Sequence, residues 1–359
     1  MARTTVALLF GGRSSEHTIS CSTAAGVLSA IDRDKYDVLP IGITRDGAFT
    51  LQPDDADLFA MNPDDMPQVR DNGTRVLFPS SAATREFRVL ERSGIRSLGD
   101  VDIAFPILHG PWGEDGTVQG MLELLGMPYV GNGVLASALG MDKHFAKTAL
   151  EAAGITVAPW VTVAPGDWTD RTRQRAQALG LPVFVKPARA GSSVGVTKVT
   201  DWDQLDAALE VAWAEDSKAL IEQAIDGREI ECGVLSARDG GTPRVSLPGE
   251  IIVTGRDFYD FEAKYLDDSA AQLVCPTQLQ DGELFEMQRI AARAFTAIGG
   301  SGLARVDFFF TGTEFVVNEL NTMPGFTPIS MFPKCWEASG MSYPELIDEL
   351  IQLGLATVR

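Results

Sequence analysis

Arg305, Asp307, Glu319 and Asn321 stand inside apolar strands, and that placement is the strongest chemical signal in the chain. They fall within residues 303–333, LARVDFFFTGTEFVVNELNTMPGFTPISMFP, where two apolar runs flank a short turn at Thr311-Gly312-Thr313. This is the pattern of a β-hairpin. Strand side chains alternate between faces, so Arg305 and Asp307 share one face of the first strand, and Glu319 and Asn321 share one face of the second. A turn centred on Thr313 sets Arg305 opposite Asn321 and Asp307 opposite Glu319. Charges among Phe and Val are costly unless paired, and facing carboxylates repel. Two resolutions stand open. One is an Arg305–Asp307 ion pair; the other is a hard cation, Mg²⁺ above all, among the oxygens of Asp307, Glu319 and Asn321.

Other candidate residues sit where strands run out into glycine-rich turns. A strand over 5–10 leads through Gly11-Gly12-Arg13-Ser14-Ser15-Glu16 to a helix over 19–31, where Glu16 serves either the helix dipole or a ligand. His109, one of three histidines, ends a strand over 101–108 before Gly110-Pro111-Trp112-Gly113-Glu114-Asp115-Gly116. Lys186 ends a strand over 181–187, followed by Ala190-Gly191-Ser192-Ser193-Val194-Gly195-Val196. Such a loop offers N–H groups and hydroxyls to phosphate oxygens, and the lysine adds a point charge; a plain solvent turn is the alternative. The spacing of this loop is not GxxxxGK[ST], which excludes a P-loop, and the turn after residue 10 lacks GxGxxG, which weakens a dinucleotide reading. Glu222 and Glu229 bracket a turn and are either acceptors for an amine or ribose hydroxyl or ordinary surface carboxylates. Residues 257–265, DFYDFEAKY, mix aromatic and charged side chains without periodicity and read as a loop of the lid type.

The elements that must position these groups alternate. Further strands are predicted at 36–43, 158–163 and 219–225, and another runs through 235. Helices are predicted at 117–125, 141–153, before Gly180, at 201–213 with Asp201 as cap, at 283–299, and from Ser342 to near Gly354, while 51–71 reads as loop. The first 130 residues form an open α/β unit, in which ligands bind at the carboxyl ends of strands.

A chain of 359 residues accommodates two or three domains. Its formal charge of -19 argues against nonspecific nucleic-acid binding and requires that any polyanionic ligand be met by local cations or metal. Four cysteines without a CxxC pair point to a reduced, cytosolic protein. The opening MARTTVALLF is too short an apolar stretch for a signal peptide, and no apolar run reaches the length of a membrane span.

Gly11 to His17, His109-Gly110, Gly113-Glu114-Asp115-Gly116, Met141-Asp142-Lys143, Lys186-Pro187, Gly191 to Gly195, Tyr259 with Glu262-Ala263-Lys264-Tyr265, Arg305-Val306-Asp307 and Asn318 to Gly325 span nearly the whole chain. In that order they resemble the ATP-grasp superfamily and, within it, the D-alanine:D-alanine ligase family. The resemblance implies an α/β, three-domain ATP-grasp fold with an open α/β N-terminal domain. Its expected parts are an N-terminal domain over 1–130, a central domain over 131–215, and a C-terminal domain over 216–359 with the hairpin and lid loop. It implies ligation of two D-alanines with ATP, through a D-alanyl phosphate, to make a peptidoglycan precursor in the cytoplasm. It also implies a homodimer, with neither nucleic acid nor membrane as partner.

Residue by residue, the resemblance implies that Asp307, Glu319 and Asn321 bind two Mg²⁺ ions, or Mn²⁺. Lys143, Lys186, Gly191, Ser192 and Ser193 would hold phosphates. Glu222 and Glu229, backbone at Ala224 and Ile225, and Tyr259 would address the nucleoside. Glu16 would pair with the ammonium of the first D-alanine and His109 would lie near its carboxylate, while Ser192 and Tyr265 complete a hydrogen-bonded set with Glu16. Ser330 and Lys264 would hold the second D-alanine, and Arg305 with the Gly325 N–H would stabilise the tetrahedral oxyanion. Pro328 departs from the family pattern by removing a backbone donor beside the second pocket. Relatives that use D-lactate or D-serine are the nearest alternatives, with Tyr265 favouring D-alanine over D-lactate; a non-catalytic nucleotide-binding regulator is the alternative of another class.

Overall fold

The computed structural model describes residues 3–62, 64–191, 193–253 and 271–357. Ser192, Tyr259, Lys264 and Tyr265 lie outside the described residues.

Strand β1 (Thr4–Gly11) leads into α1 (His17–Ala30) and the chain returns as parallel β2 (Tyr36–Ile43), with β3 (Phe49–Leu51) antiparallel beside it. A small antiparallel sheet of β4 (Arg75–Leu77), β5 (Glu86–Glu91) and β6 (Gly94–Asp100) follows. No strand is predicted there: β6 is almost wholly exposed without alternation of burial, whereas the alternation in β5 is a signal that went unread. Then β7 (Ile103–Pro106) pairs with the other edge of β1, ahead of α2 (Thr117–Leu124). Residues of β1 are buried without alternation from Val6 onward, as expected of a parallel strand covered on both faces. With the order β3-β2-β1-β7, the crevice outside the carboxyl ends of β1 and β7 is the natural ligand site.

The helix predicted over 141–153 is α4 (Lys143–Ala152), and a further helix, α3 (Val134–Met141), directly precedes it. Asp142 divides them: its carboxylate accepts the N–H groups of His144 and Phe145 and so starts a new helix. A second sheet is built from β8 (Trp160–Val163), β9 (Val183–Pro187), β10 (Thr197–Val199) and β11 (Ala219–Gln223), with α5 (Asp170–Gln177) and α6 (Leu205–Glu215) between its strands. A third contains β12 (Arg228–Leu235), β13 (Arg244–Val245), β14 (Gly249–Val253), β15 (Ala271–Val274), β16 (Leu303–Phe310) and β17 (Phe315–Asn321). Helix α7 (Asp281–Ala297) packs on it, and α8 (Met331–Ala338) and α9 (Tyr343–Ala356) end the chain.

Packing crosses the order of the chain. Leu346, Ile347, Leu350 and Ile351 of α9 share a core with Val6 and Leu8 of β1, while Ala136 of α3 and Leu150 of α4 share one with the third sheet. The last helix thus locks the hairpin end of the chain to the first sheet. Among the described residues no helix is long and apolar enough to cross a membrane.

The hairpin pairs Arg305 with Asn321 and Asp307 with Glu319, as expected, but its turn lies elsewhere. Phe310 faces Phe315 and the Thr311 N–H donates to the Glu314 carbonyl at 3.1 Å, leaving Gly312-Thr313 as a two-residue loop with Gly312 at φ +90°. Phe308 then faces Val317, and Asn318 is an extra, bulged residue that shifts the ladder into its site register.

Candidate active site

Glu16 occupies the N-cap position of α1, yet its side chain makes no cap hydrogen bond. Its carboxylate reaches across to two glycines: a Cβ on Gly110 would lie 2.9 Å from Glu16 Oε2, and one on Gly191 3.1 Å. Gly110 also has φ +74°, so both backbone and space demand glycine there. The helix-dipole reading of Glu16 therefore gives way to a carboxylate placed where the first and second sheets meet.

His109 is buried beside it, with Nδ1 3.2 Å from the Met323 carbonyl and Nε2 3.3 Å from Thr23 Oγ1. A ring nitrogen facing a carbonyl must carry the proton, which sets the tautomer. Burial lowers its pKa against the pull of Glu16, so the ring is neutral. Glu114 belongs to the same corner: its Oε1 accepts the Gly110 N–H at 2.9 Å. Burial first, and then the Glu16 charge, push its carboxyl up to about 8, leaving a neutral acid at pH 7. Its position in the Gly113 to Gly116 turn was the only signal of it in the sequence.

The second sheet brings the cations. Lys143, at the start of α4, donates from Nζ to the Ala190 carbonyl at 2.7 Å, beside the glycine-serine loop. In that loop Ser193 (φ +58°) and Gly195 (φ +72°) adopt left-handed backbone on either side of Val194, an alternation that gathers N–H groups into an anion-binding concavity. Glu222 corrects the expectation of a surface carboxylate or a free ribose acceptor. It is 2% exposed, with Oε1 2.6 Å from Lys186 Nζ and Oε2 2.7 Å from Lys147 Nζ. Burial raises the Glu222 pKa, but Lys186 and Lys147 outweigh it and hold it low. Burial wins at Lys147, which is lowered in spite of its partner. Lys147 carries no sequence expectation, although its spacing of four from Lys143 places both on one helix face. Ala224 donates its N–H to the Pro182 carbonyl at 3.1 Å, so it has only a carbonyl to offer a ligand.

On the third sheet Arg305 grips Asp307 through two bonds of 2.7 Å, from Nε and Nη2, and its Nε is 3.0 Å from Glu231 Oε2. The ion-pair alternative is therefore realised. Burial opposes the Arg305 charge, but Asp307 and Glu231 raise its pKa well above the ordinary value. Glu231 faces Asp307 across the β12–β16 ladder and shares a strand face with Glu229; this alternation was its unread signal. Asn321 Nδ2 donates to Asp307 Oδ2 at 2.9 Å, which turns the amide oxygen elsewhere. Pro328 removes no hydrogen bond from the turn that contains it. Ser330 N–H bonds the Thr327 carbonyl at 2.9 Å, closing a turn in which proline holds its favoured second place. Ser330 Oγ is 2.8 Å from Thr327 Oγ1, and a Cβ on Gly325 would lie 3.2 Å from it.

All these walls face one cleft of about 1200 Å³. Glu16 and His109 line it from the first sheet, and Lys143, Lys186, Gly191, Ser193 and Glu222 from the second. Ala224, Ile225 and Glu229 lie at the join, while Arg305, Asp307, Glu319, Asn321, Gly325 and Ser330 close the third side. Asp307, Glu319 and Asn321 supply two carboxylates and an amide, an all-oxygen set that suits Mg²⁺ completed by phosphate oxygens. Among the described residues no group of three or more His, Cys, Asp and Glu side chains makes a protein-only metal cage.

An open α/β sheet, an antiparallel sheet with phosphate-binding features and a larger sheet carrying paired carboxylates, closed over one cleft, are the architecture of an ATP-grasp ligase. Residues 5–132 match the family model for the D-ala D-ala ligase N-terminus, and residues 149–352 that for the D-ala D-ala ligase C-terminus. The chain belongs to the D-ala D-ala ligase family. It is 51% identical to the D-alanine--D-alanine ligase of Paenarthrobacter aurescens, covering 98% of this chain and 95% of that one. Among solved structures it is similar to the VanG D-Ala:D-Ser ligase from Enterococcus faecalis, with TM-score 0.84, 35% identity, and 98% of this chain and 100% of that one covered. It is similar also to the Bacillus anthracis D-alanine--D-alanine ligase complexed with ATP, with TM-score 0.74, 28% identity, and 99% and 98% covered.

Proposed function

We propose that this chain joins two D-alanines to D-alanyl-D-alanine at the expense of ATP, through a D-alanyl phosphate, to supply peptidoglycan synthesis in the cytoplasm. The observation that carries this reading is the meeting of amino-acid, phosphate and oxyanion groups from three sheets in one cleft. Glu16 receives the ammonium of the first D-alanine, and neutral His109 stands near its carboxylate. Lys143, Lys186 and the loop from Gly191 to Ser193 hold the phosphates. Glu222 acts through the two lysines it pairs, while Glu229, Ile225, the Ala224 carbonyl and Tyr259 address the nucleoside. Asp307, Glu319 and Asn321 would hold Mg²⁺, or Mn²⁺ in its place, which when bound would neutralise the phosphate charge that a carboxylate must approach.

Ser330 with Lys264 holds the second D-alanine, and Ser192 with Tyr265 joins Glu16 in fixing the reactants. Arg305 and the Gly325 N–H receive the oxyanion when the second amine attacks; no side chain forms a covalent intermediate. Holding both amino acids in attack geometry supplies much of the rate. The three sheets support units near 1–130, 131–215 and 216–359, with α3, α4 and α9 packed across those limits. A homodimer completes the reading. D-alanyl-D-serine synthesis is a second reading, favoured by the likeness to VanG.

Phosphate release with ATP, Mg²⁺ and D-alanine, run beside L-alanine, D-serine and D-lactate with products identified by mass, tests both. Release with D-alanine alone and a D-alanyl dipeptide is the expected result. Release only on adding D-serine or D-lactate moves the acceptor, and none with any D-amino acid overturns the ligase.

A further inference from the structure

Cys275 directly follows β15 and Cys335 lies within α8, and their Sγ atoms are 3.7 Å apart. The two thiols differ in access. Cys335 is fully buried, with Sγ also 3.9 Å from the Glu231 carbonyl oxygen, whereas Cys275 is half-buried beside exposed Pro276. Cys21 and Cys232 are both buried. We propose that Cys275 and Cys335 are an oxidisable dithiol, which a hydroperoxide closes to a disulfide that moves α8 at the edge of the cleft.

The step balances. A Cys275 thiolate attacks the peroxide, breaks its O–O bond and becomes a sulfenic acid, while the departing oxygen takes the proton that the thiol gave up. The Cys335 sulfur then attacks the Cys275 sulfur and expels hydroxide, which leaves as water with the Cys335 proton. The peroxide gains two electrons and the thiol pair loses two. The electrostatics assign the order: Cys335 beside it, and then Lys334, hold the Cys275 thiol below its ordinary value, while Cys335 itself is raised. Cys275 is the attacking sulfur and Cys335 the resolving one.

A disulfide needs its sulfurs at about 2.05 Å, so closure draws the two sulfurs together by roughly 1.7 Å, and the part that side-chain rotation does not absorb pulls α8 toward the end of β15. Ser330 stands at the N-cap position of α8, and Met331 and Lys334 on that helix line the cleft. Displacing them disturbs the pocket of the second amino acid, a consequence that rests on the proposed ligase reading. An ångström of misplacement costs up to about a hundredfold in rate.

The test treats the full chain with hydrogen peroxide, alkylates under denaturing conditions and maps peptides by mass. A Cys275–Cys335 linked peptide that dithiothreitol separates is expected. Cys275→Ser would abolish it, and Cys335→Ala would leave a Cys275 sulfenic acid that dimedone traps. Cys335 still alkylated after treatment, or bridging to Cys21 or Cys232, overturns the pair. Oxidised protein should show KM for the second D-alanine raised on the order of tenfold or more, KM for ATP unchanged, and recovery on reduction. An unchanged acceptor KM with the bridge in place overturns the coupling. Since the bridge is read by mass, a reduced protein without ligase activity would count against the functional reading alone.

Discussion

Glu222→Gln removes the charge that does most to keep Lys147 ionised in the fold. Lys147 is 2% exposed, its Nζ is 2.7 Å from Glu222 Oε2, and burial already holds its pKa low. With a neutral amide in its place, two lysine heads face each other, and Lys186 at least keeps some contact with water. Lys147 then sheds its proton. Doing so at pH 7, from an unfolded value near 10.4, costs about 4.6 kcal/mol at 1.36 kcal/mol per unit. That figure agrees with the roughly 3–5 kcal/mol typical of breaking a buried ion pair, and it is a large share of an ordinary domain's stability. The sign of its pH dependence follows. A folded pKa depressed below the unfolded one gives stability that is present at high pH and lost as pH falls. The gap between variant and wild type should therefore narrow by up to about 1.4 kcal/mol per unit between pH 6.5 and 8. Urea unfolding followed by tryptophan fluorescence measures it, and Glu222→Met with Lys147→Met should recover most of the loss because neither charge remains. A loss under about 1 kcal/mol, or a gap independent of pH, would refute the argument.

Glu319→Gln should abolish Mg²⁺-dependent phosphate release while unfolding shifts by less than about 1 kcal/mol. Asp307→Asn should do the same to turnover but cost about 1.5–3 kcal/mol, since its carboxylate holds Arg305; full turnover in either at ordinary Mg²⁺ removes the metal assignment. Glu114→Gln tests the neutral acid. A folded value raised to about 8 gives stability that is present below the unfolded value of 4.5 and lost as pH rises. The variant should gain on wild type by about 1.4 kcal/mol per unit from pH 5 to 8 and then level off, and parallel pH profiles would exclude the shift. Gly110→Ala, at φ +74° with its methyl 2.9 Å from Glu16 Oε2, should lose at least about 1 kcal/mol and raise KM for the first D-alanine. An unchanged KM would separate Glu16 from that substrate.

The hairpin is largely legible in the sequence. Its facing pairs follow from strand alternation and a turn centred on Thr313, yet the turn is centred half a residue earlier and the bulge at Asn318 makes up the difference. Alternation reports which residues share a face; it carries no signal for an inserted residue. The same limit applies to α9. Its apolar stripe and the Ser342–Glu345 capping box mark a helix, but nothing local says that Leu346 and Ile351 cover β1 rather than the sheet they follow.

Charges were misread for a related reason. Glu222 looks like a strand-end carboxylate in sequence because its neutralising partners come from elsewhere: Lys186 lies directly across the β9–β11 ladder from Leu220, two residues away, and Lys147 sits on α4, whose Leu150 packs into the core of the third sheet. Arg305 and Asp307 are separated by only two residues, so alternation makes their pairing legible, whereas Glu231 joins them through a third strand. A polar residue's type announces that a partner must exist, and its identity is settled by packing over distances that local pattern does not span. In this cleft those unseen partners hold the charges: Glu222, itself paired with Lys147, holds the lysine proposed to meet phosphate, and Glu231 helps hold the arginine proposed to receive the oxyanion. Substituting Glu231→Gln should therefore lower kcat while leaving KM for ATP near its wild-type value, because Arg305 loses one of two anchors but no nucleotide contact. A raised KM for ATP with kcat intact would place Glu231 on the nucleotide side of the cleft instead.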